Sequence, residues 1–272
     1  MPMEYAGELE AAKSAARLAG NEIMRLYADF AALAEAPAEI STEADRRSQE
    51  LILDLLSREF PRDAFCAEED SPQLARLPRE APRLWIIDPI DGSRGFAKKL
   101  GEFSVMIGLV ERYQVRMGVV FEPARSRMTF AVKHEGCWIE DDVNAVRSCH
   151  VSSVSQWNEA RLVRSHSEKK NASPITESLR TQLYTYSAGI KMAMVARGEV
   201  ELYLSSYTGF NSWDVCAGQI LVEEAGGRVT DARGEAIAYR QDGSGKIAGT
   251  VASNGLLHEA GEACIRAFLS TG

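Results

Sequence analysis

Three acidic groupings in this chain could hold metal ions: Glu68-Glu69-Asp70, the pair Asp88 and Asp91, and Asp214. The middle one is the most informative. Leu84-Trp85-Ile86-Ile87 is a short apolar run that reads as a buried strand, and Asp88-Pro89-Ile90-Asp91 follows it directly. Two carboxylates are thereby expected at the mouth of a sheet. Pro89 has no N–H and a fixed backbone, so the strand is expected to end at Asp88. Gly92 allows close approach of backbone, and Ser93-Arg94-Gly95-Phe96 looks like a helix start, whose free N–H groups suit a phosphate. Carboxylates beside a phosphate repel it unless hard cations lie between them. Mg²⁺ does this with one or two carboxylates, waters and phosphate oxygens.

Each grouping has a plainer reading when taken alone. Asp-Pro-x-Asp-Gly is equally a turn, because Asp, Pro and Gly are the usual turn formers. Glu68-Glu69-Asp70 reads as a solvated acidic loop, and Asp214 as a helix cap whose carboxylate meets free N–H groups. Order and flanks taken together shift the balance toward a metal site.

These groups must be positioned by folded elements. Glu4 to about Phe30 has Leu9, Ala12, Ala16, Ala19, Ile23 and Leu26 at helical spacing. A second helix is expected from Thr42, whose hydroxyl is followed three residues later by Asp45 as in a capping box, to Phe60, where Pro61 stops it. Leu51, Leu55 and Phe60 supply part of its stripe. Phe103–Val110, Val115–Phe121 and Met128–Val132 read as an antiparallel meander. Further strands are expected near Arg161–Val163, Val200–Leu204 and Ile247–Ser253. Helices are expected near Ile175–Arg180, Ile190–Ala196, Trp213–Ala225 and Leu256–Leu269, the third closed by Gly226-Gly227. This order suggests an α/β layered sandwich with mixed, largely antiparallel sheets. A boundary around 140–147 divides it into residues 1–145, with most of the acidic groupings, and 146–272, with Asp214.

Composition bounds the partners. The chain has 272 residues, 45% hydrophobic and 26% charged, with a formal net charge of −8. Its basic residues are scattered, which disfavours a nucleic-acid groove or an anionic membrane as main partner. The five cysteines are odd in number and form no Cys-x-x-Cys pair. Reduced thiols in a cytoplasmic compartment are the expectation, and no run is long and apolar enough to span a bilayer.

Four stretches together resemble the inositol monophosphatase superfamily: Thr42-x-x-Asp45, Ala67-Glu68-Glu69-Asp70, Trp85-Ile86-Ile87-Asp88-Pro89-Ile90-Asp91-Gly92-Ser93, and Trp213-Asp214 with Glu224-Ala225-Gly226-Gly227. Within it the chain is more similar to the bacterial and plant 3′(2′),5′-bisphosphate nucleotidases than to the inositol phosphatases. The resemblance implies the α-β-α-β-α sandwich of the sugar phosphatases, about two or three Mg²⁺ ions, lithium sensitivity and a homodimer. It implies metal ligation by Glu68, Asp88, the Ile90 carbonyl, Asp91 and Asp214, with Glu69 as an acid behind them. Asp45 would pair with Ser93 to orient or deprotonate the attacking water, and the Gly92 and Ser93 backbone would hold the phosphate. Ser93 stands where threonine is usual and keeps the hydroxyl. Ala36-Pro37-Ala38-Glu39 replaces the usual basic and Ser-Pro residues of the loop before Thr42.

Substrate choice rests on fewer residues. Gly95-Phe96, Gly101-Glu102-Phe103-Ser104 and Arg164-Ser165-His166 resemble the nucleotidase branch. Lys191 falls where that branch has a lysine and is expected to contact a second phosphate, or else to be a solvated helix residue. Tyr207 could stack on a base where inositol phosphatases place a glutamate, or pack within its loop, and His166 is a base contact or a surface histidine. Ala188-Gly189-Ile190 replaces a serine-rich sequence. Release of the 3′-phosphate of adenosine 3′,5′-bisphosphate is the leading expectation. An inositol 1-phosphate or broad sugar phosphatase is the alternative, and a non-catalytic phospholigand-binding protein is more remote.

Overall fold

In the computed structural model, which describes residues 4–37, 40–141, 145–170, 176 and 178–270, helix α1 (Ala6–Asp29) buries Leu9, Ala12, Ala16, Ala19 and Ile23. Helix α2 (Glu43–Glu59) starts at the expected capping box: Thr42 Oγ1 accepts from the Ala44 N–H at 3.1 Å, and the Asp45 carboxylate accepts from the Thr42 N–H at 2.8 Å. Its inward stripe is Ala44, Asp45, Ser48, Gln49, Ile52, Leu53 and Leu56, with Leu51, Leu55 and Phe60 only half-buried. The expected stripe was displaced because its first turns bury polar side chains, which hydrophobic spacing does not register.

Seven strands form the first sheet in chain order: β1 (Ala64–Ala67), β2 (Arg83–Asp91), β3 (Ser104–Glu111), β4 (Gln114–Glu122), β5 (Arg127–Val132), β6 (Gly136–Glu140) and β7 (Arg147–Cys149). β1 pairs parallel to β2 and every later pair is antiparallel, so the expected meander forms and extends at both edges. A short helix α3 (Ser93–Ala97) follows β2. The second sheet draws on β8 (Arg161–Arg164), β9 (Thr181–Tyr184), β10 (Leu202–Ser205), β12 (Arg228–Thr230) and β14 (Thr250–Ser253), in the order β12-β14-β10-β8-β9. β11 (Phe210–Asn211) pairs separately with β13 (Lys246–Ile247). The single strand expected over Ile247–Ser253 is thus split between two sheets at Gly249, whose φ of 72° suits glycine.

Helices α4 (Ala188–Ala196) and α5 (Ser212–Glu224) lie between the sheets, α1 and α2 cover the far face of the first, and α6 (His258–Ser270) covers the second. This is the expected five-layer α-β-α-β-α order. The central core takes Ile86, Met106 and Val120 from the first sheet, Met192 from α4, Cys216 and Ile220 from α5, and Tyr203 and Ala252 from the second sheet. Residues 175 and 177 of the expected helix near Ile175–Arg180 lie outside the described residues, and Ser178–Arg180 form a turn and bend that leads into β9 instead of a helix. Residues 142–144 of the expected boundary also lie outside them. Arg147–Cys149, just beyond that boundary, still pair with the first sheet. All five cysteines are buried thiols, and no helix among the described residues is long and apolar enough to cross a membrane.

His258, at the start of α6, is fully buried, with Nδ1 2.9 Å from Ser253 Oγ and Nε2 3.0 Å from Thr230 Oγ1. Burial and the charge of Arg228 pull its pKa down to about 4 from 6.5, against the opposing pull of Glu262. The depressed pKa makes the contribution of neutral His258 complete above pH 6.5 and lost as the pH falls through 4. Urea unfolding between pH 7 and 4 is expected to show a decline of up to about 3 kcal/mol from this group. His258→Gln is expected to remove that part of the slope.

Candidate metal centre

The order of the residues in β2 explains how two carboxylates three positions apart come to share a face. Side chains alternate along a strand, so Asp88 and Asp91 would ordinarily point to opposite sides. Asp88 pairs with Met106, whereas Asp91 pairs with Ser104, so three steps along β2 match two along β3. One extra residue is accommodated there, and this bulge turns both carboxylates toward α4 and α5 while Ile90 stays in the core beneath α1 and α2. The expected stop at Asp88 is corrected accordingly. Pro89 interrupts the ladder, but the chain remains extended to Asp91.

Helix α5 supplies the next carboxylate. Asp214 closes a capping box with Asn211, its Oδ2 accepting the Asn211 N–H at 2.6 Å. It therefore caps the helix and faces the site at once. Asp88, Asp91 and Asp214 each bring an oxygen within 4.8 Å of the others. Glu68, one residue beyond β1, lies beside Asp88 and its charge raises the Asp88 carboxyl.

Burial and mutual repulsion act on every member. Glu68 is pushed up to about 8 by burial, then by the charges of Asp214 and Asp45. Asp214 is raised to about 7, chiefly by burial and partly offset by the Asn211 N–H. Burial holds Asp88 well above the usual carboxylate range, reinforced by Glu68, Asp91 and Asp214. Its Oδ1 is buried with no hydrogen-bond partner. Asp91 is also raised by burial, but Ser187, Lys191 and the N–H groups of Gly189 and Ala188 oppose the rise. An orphaned buried oxygen among crowded carboxylates is the donor set of a hard divalent cation. The residues present fit Mg²⁺: Asp88, Asp91 and Asp214 are the acidic groups that could hold it, with Glu68 beside Asp88.

Several supporting residues escaped the sequence reading. Asp91 accepts from the Gly189 N–H at 2.7 Å, the Ala188 N–H at 3.1 Å, the Ser104 hydroxyl at 3.3 Å and the Ser187 hydroxyl. The N-terminus of α4 thus favours the ionised form of Asp91 and opposes the rise that burial causes. A Cβ at Gly189 would come within 2.8 Å of Ser104 Oγ, so a larger residue there would disturb the Ser104 bond to Asp91. Ser48 donates to the Pro89 carbonyl at 3.0 Å, and the Gln49 amide bonds both the N–H and the carbonyl of Glu69, at 2.8 and 2.5 Å. Their only advance signal was polarity on the inward face of α2.

Ser93 and Asp45 meet as expected. The Ser93 hydroxyl lies 2.8 Å from Asp45 Oδ1 and 2.8 Å from the Ile90 carbonyl. Burial raises Asp45, opposed by bonds from Thr42 and Ser93. Gly92 adopts φ 90°, and a Cβ there would fall 2.6 Å from the Glu102 carbonyl, so the loop is closed tightly against its neighbour.

The residues expected to choose the substrate are placed less uniformly. His166 is half-buried, 2.9 Å from Glu102 Oε2, with its ring 4.7 Å from Tyr186 and 6.1 Å from Tyr184. Tyr207 is exposed and meets Phe210 edge-on at 5.1 Å. Lys191 is neither solvated nor available. It is buried, and its Nζ donates to Ser165 Oγ, the Thr185 carbonyl and the Tyr186 carbonyl at 3.1–3.2 Å. An ammonium has three donors. None is left for a second phosphate, which corrects that expectation.

Comparisons with known proteins converge. Residues 6–266 match the description of the inositol monophosphatase family. A fructose-1,6-bisphosphatase/inositol-1-monophosphatase of Thermotoga maritima is 32% identical over 222 residues, 81% of this chain and 80% of the relative. The 3′(2′),5′-bisphosphate nucleotidase CysQ of Escherichia coli K12 is 29% identical over 232 residues, 82% and 90% of the two chains. Among solved structures, an inositol monophosphatase of Thermotoga maritima superposes with a TM-score of 0.82 at 27% identity, covering 97% of this chain and 99% of its own.

Binding of a cation here is measurable without turnover. Adding Mg²⁺ to chelator-treated protein at about a hundred-fold excess over Kd is expected to raise Tm by roughly 5 °C. Asp88→Asn is expected to abolish that shift and, by relieving repulsion, to melt above the parent in chelator. A full Mg²⁺ shift in the variant would show that the cation binds elsewhere.

Proposed function

We propose, on the premise that the chain belongs to the inositol monophosphatase family, that this metal-dependent phosphatase releases the 3′-phosphate of adenosine 3′,5′-bisphosphate. The observation that carries the hydrolytic reading is the Ser93 hydroxyl set between Asp45 and the Ile90 carbonyl, beside the cluster of Asp88, Asp91 and Asp214. When bound, about two or three Mg²⁺ ions would neutralise the phosphate and lower the pKa of a bound water.

The chain's own residues then have separable tasks. With its hydrogen directed to Asp45, Ser93 Oγ keeps a lone pair that accepts from the attacking water and aims it. Asp45, raised toward neutrality by burial, is suited to take up that proton through Ser93. Thr42 holds the other Asp45 oxygen through its hydroxyl and N–H, at 2.6 and 2.8 Å, so the base cannot rotate away. The tight turn at Gly92 presents the backbone of Gly92 and Ser93 to the phosphate. Glu69, pinned through its backbone by Gln49, adds negative charge behind Glu68 and Asp45.

For the nucleotide, the supporting observation is the half-buried His166 ring beside Tyr184 and Tyr186, oriented by Glu102. Flat rings next to a phosphate loop suit a purine, as does the exposed ring of Tyr207. The resemblance to the Escherichia coli nucleotidase agrees with this. A second reading, an inositol 1-phosphate or broad sugar phosphatase, is favoured by the 32% identity to the Thermotoga maritima enzyme.

Phosphate release from adenosine 3′,5′-bisphosphate, inositol 1-phosphate and fructose 1,6-bisphosphate with Mg²⁺ separates these readings. The nucleotide is expected to have the highest kcat/KM; a ten-fold preference for inositol 1-phosphate would sink the nucleotide assignment. Asp45→Asn is expected to lower kcat by about 10²-fold or more with little change in KM. Ser93→Thr, which keeps the hydroxyl, should retain most activity, and Ser93→Ala should not. Equal rates for the two serine variants would remove Ser93 from the mechanism.

A further inference from the structure

With Lys191 fully engaged, the second anionic group of a bisphosphate needs another cation, and Arg94 combines nearness to the acidic cluster with a guanidinium that no carboxylate among the described residues claims. The guanidinium groups of Arg83, Arg127, Arg161 and Arg197 are each ion-paired with a carboxylate. Arg94 has no ion pair among the described residues. Its Nε is buried without a hydrogen-bond partner, and the guanidinium lies 5.2 Å above the Tyr186 ring. In a chain of net charge −8, an arginine left unneutralised and partly desolvated is an expensive arrangement unless an anion completes it.

Its position is the second argument. Arg94 directly follows Ser93, whose hydroxyl bonds Asp45 and the Ile90 carbonyl. Tyr186 stands two residues before Ala188, whose N–H bonds Asp91. Both residues therefore flank the acidic cluster, one from each half of the chain. Tyr186 is fixed from both sides, its N–H donating to Glu102 Oε2 at 3.2 Å and its carbonyl accepting from Lys191 at 3.1 Å. Glu102, the nearby carboxylate that could have claimed Arg94, is occupied by this N–H and by His166. A ring held in place fixes the plane of the guanidinium above it, which is the pre-orientation that bidentate phosphate binding requires.

We infer that Arg94, seated on Tyr186, binds the second phosphate of the substrate and so selects bisphosphorylated over monophosphorylated nucleotides. The inference rests on the nucleotidase reading above. Lys191 then serves as a positioning residue: it holds the Tyr186 carbonyl, and through it the platform beneath Arg94.

The test compares kcat/KM for adenosine 3′,5′-bisphosphate and adenosine 3′-phosphate, with inositol 1-phosphate as reference, in the parent, Arg94→Ala and Arg94→Lys. Each variant is checked for an unchanged melting profile. The parent is expected to prefer the bisphosphate. Arg94→Ala is expected to cut that preference about 10- to 100-fold, mainly through KM, and Arg94→Lys to restore it only in part, since an ammonium lacks the planar fork. Tyr186→Ala is expected to weaken the preference in the same direction. A parent that prefers the bisphosphate while Arg94→Ala keeps the same preference within two-fold overturns the role of Arg94 and leaves the nucleotidase reading standing. A parent that favours inositol 1-phosphate and does not distinguish the two nucleotides overturns both.

Discussion

Carboxylates that repel one another have been driven into one buried place, and much of the molecule serves to keep them there. Glu68, Asp88, Asp91 and Asp214 come from four separate positions along the chain, and burial alone would raise the pKa of each. The fold offsets this unevenly. Asp91 receives two N–H groups and two hydroxyls at the head of α4, whereas Asp88 is left with an oxygen that nothing in the protein satisfies. That asymmetry leaves one carboxylate anchored by the protein and its neighbour with an oxygen free to take a ligand.

The supports reach outward in layers. Helix α2 turns its polar first turns inward, so that Asp45 meets Ser93, Ser48 holds the Pro89 carbonyl and Gln49 grips the backbone of Glu69. Helices α4 and α5 each place an N-terminus at the same spot from between the sheets. At the other end of α4, Arg197 bonds Glu122 and Thr129 of the first sheet at 3.0 and 2.8 Å and Glu199 at 2.7 Å. A buried arginine between carboxylates contributes more to fixing one geometry than to net stability. Here it ties the helix that orients Asp91 to the sheet that carries it.

The rim follows a different logic. Glu102 organises it by bonding His166 and the Tyr186 N–H, while its own carbonyl crowds Gly92 and Gly95 so closely that only glycine fits there. The turn at Gly92–Gly95 and the aromatic rim are therefore packed directly against each other.

The sequence alone determined the family and the class of the fold. Asp88 and Asp91 stood out through the strand, proline and glycine that flank them, whereas Glu68 and Asp214 joined them only through the resemblance of the four stretches taken together. The meander was legible because alternation marks which strand faces are apolar, whereas the five-layer order came with the family resemblance. Tertiary structure decided the rest. Whether Asp88 and Asp91 share a face depended on how β2 pairs with β3, since a bulge is a property of two strands and not of one. Ser48 and Gln49 were invisible because a polar residue on an inward face acquires meaning only from what it meets. Lys191 looked like a free cation, and only the packed structure shows its three donors spent on Ser165, Thr185 and Tyr186. Residue type fixes what a group can do; which partners remain open to it depends on neighbours far away in the chain.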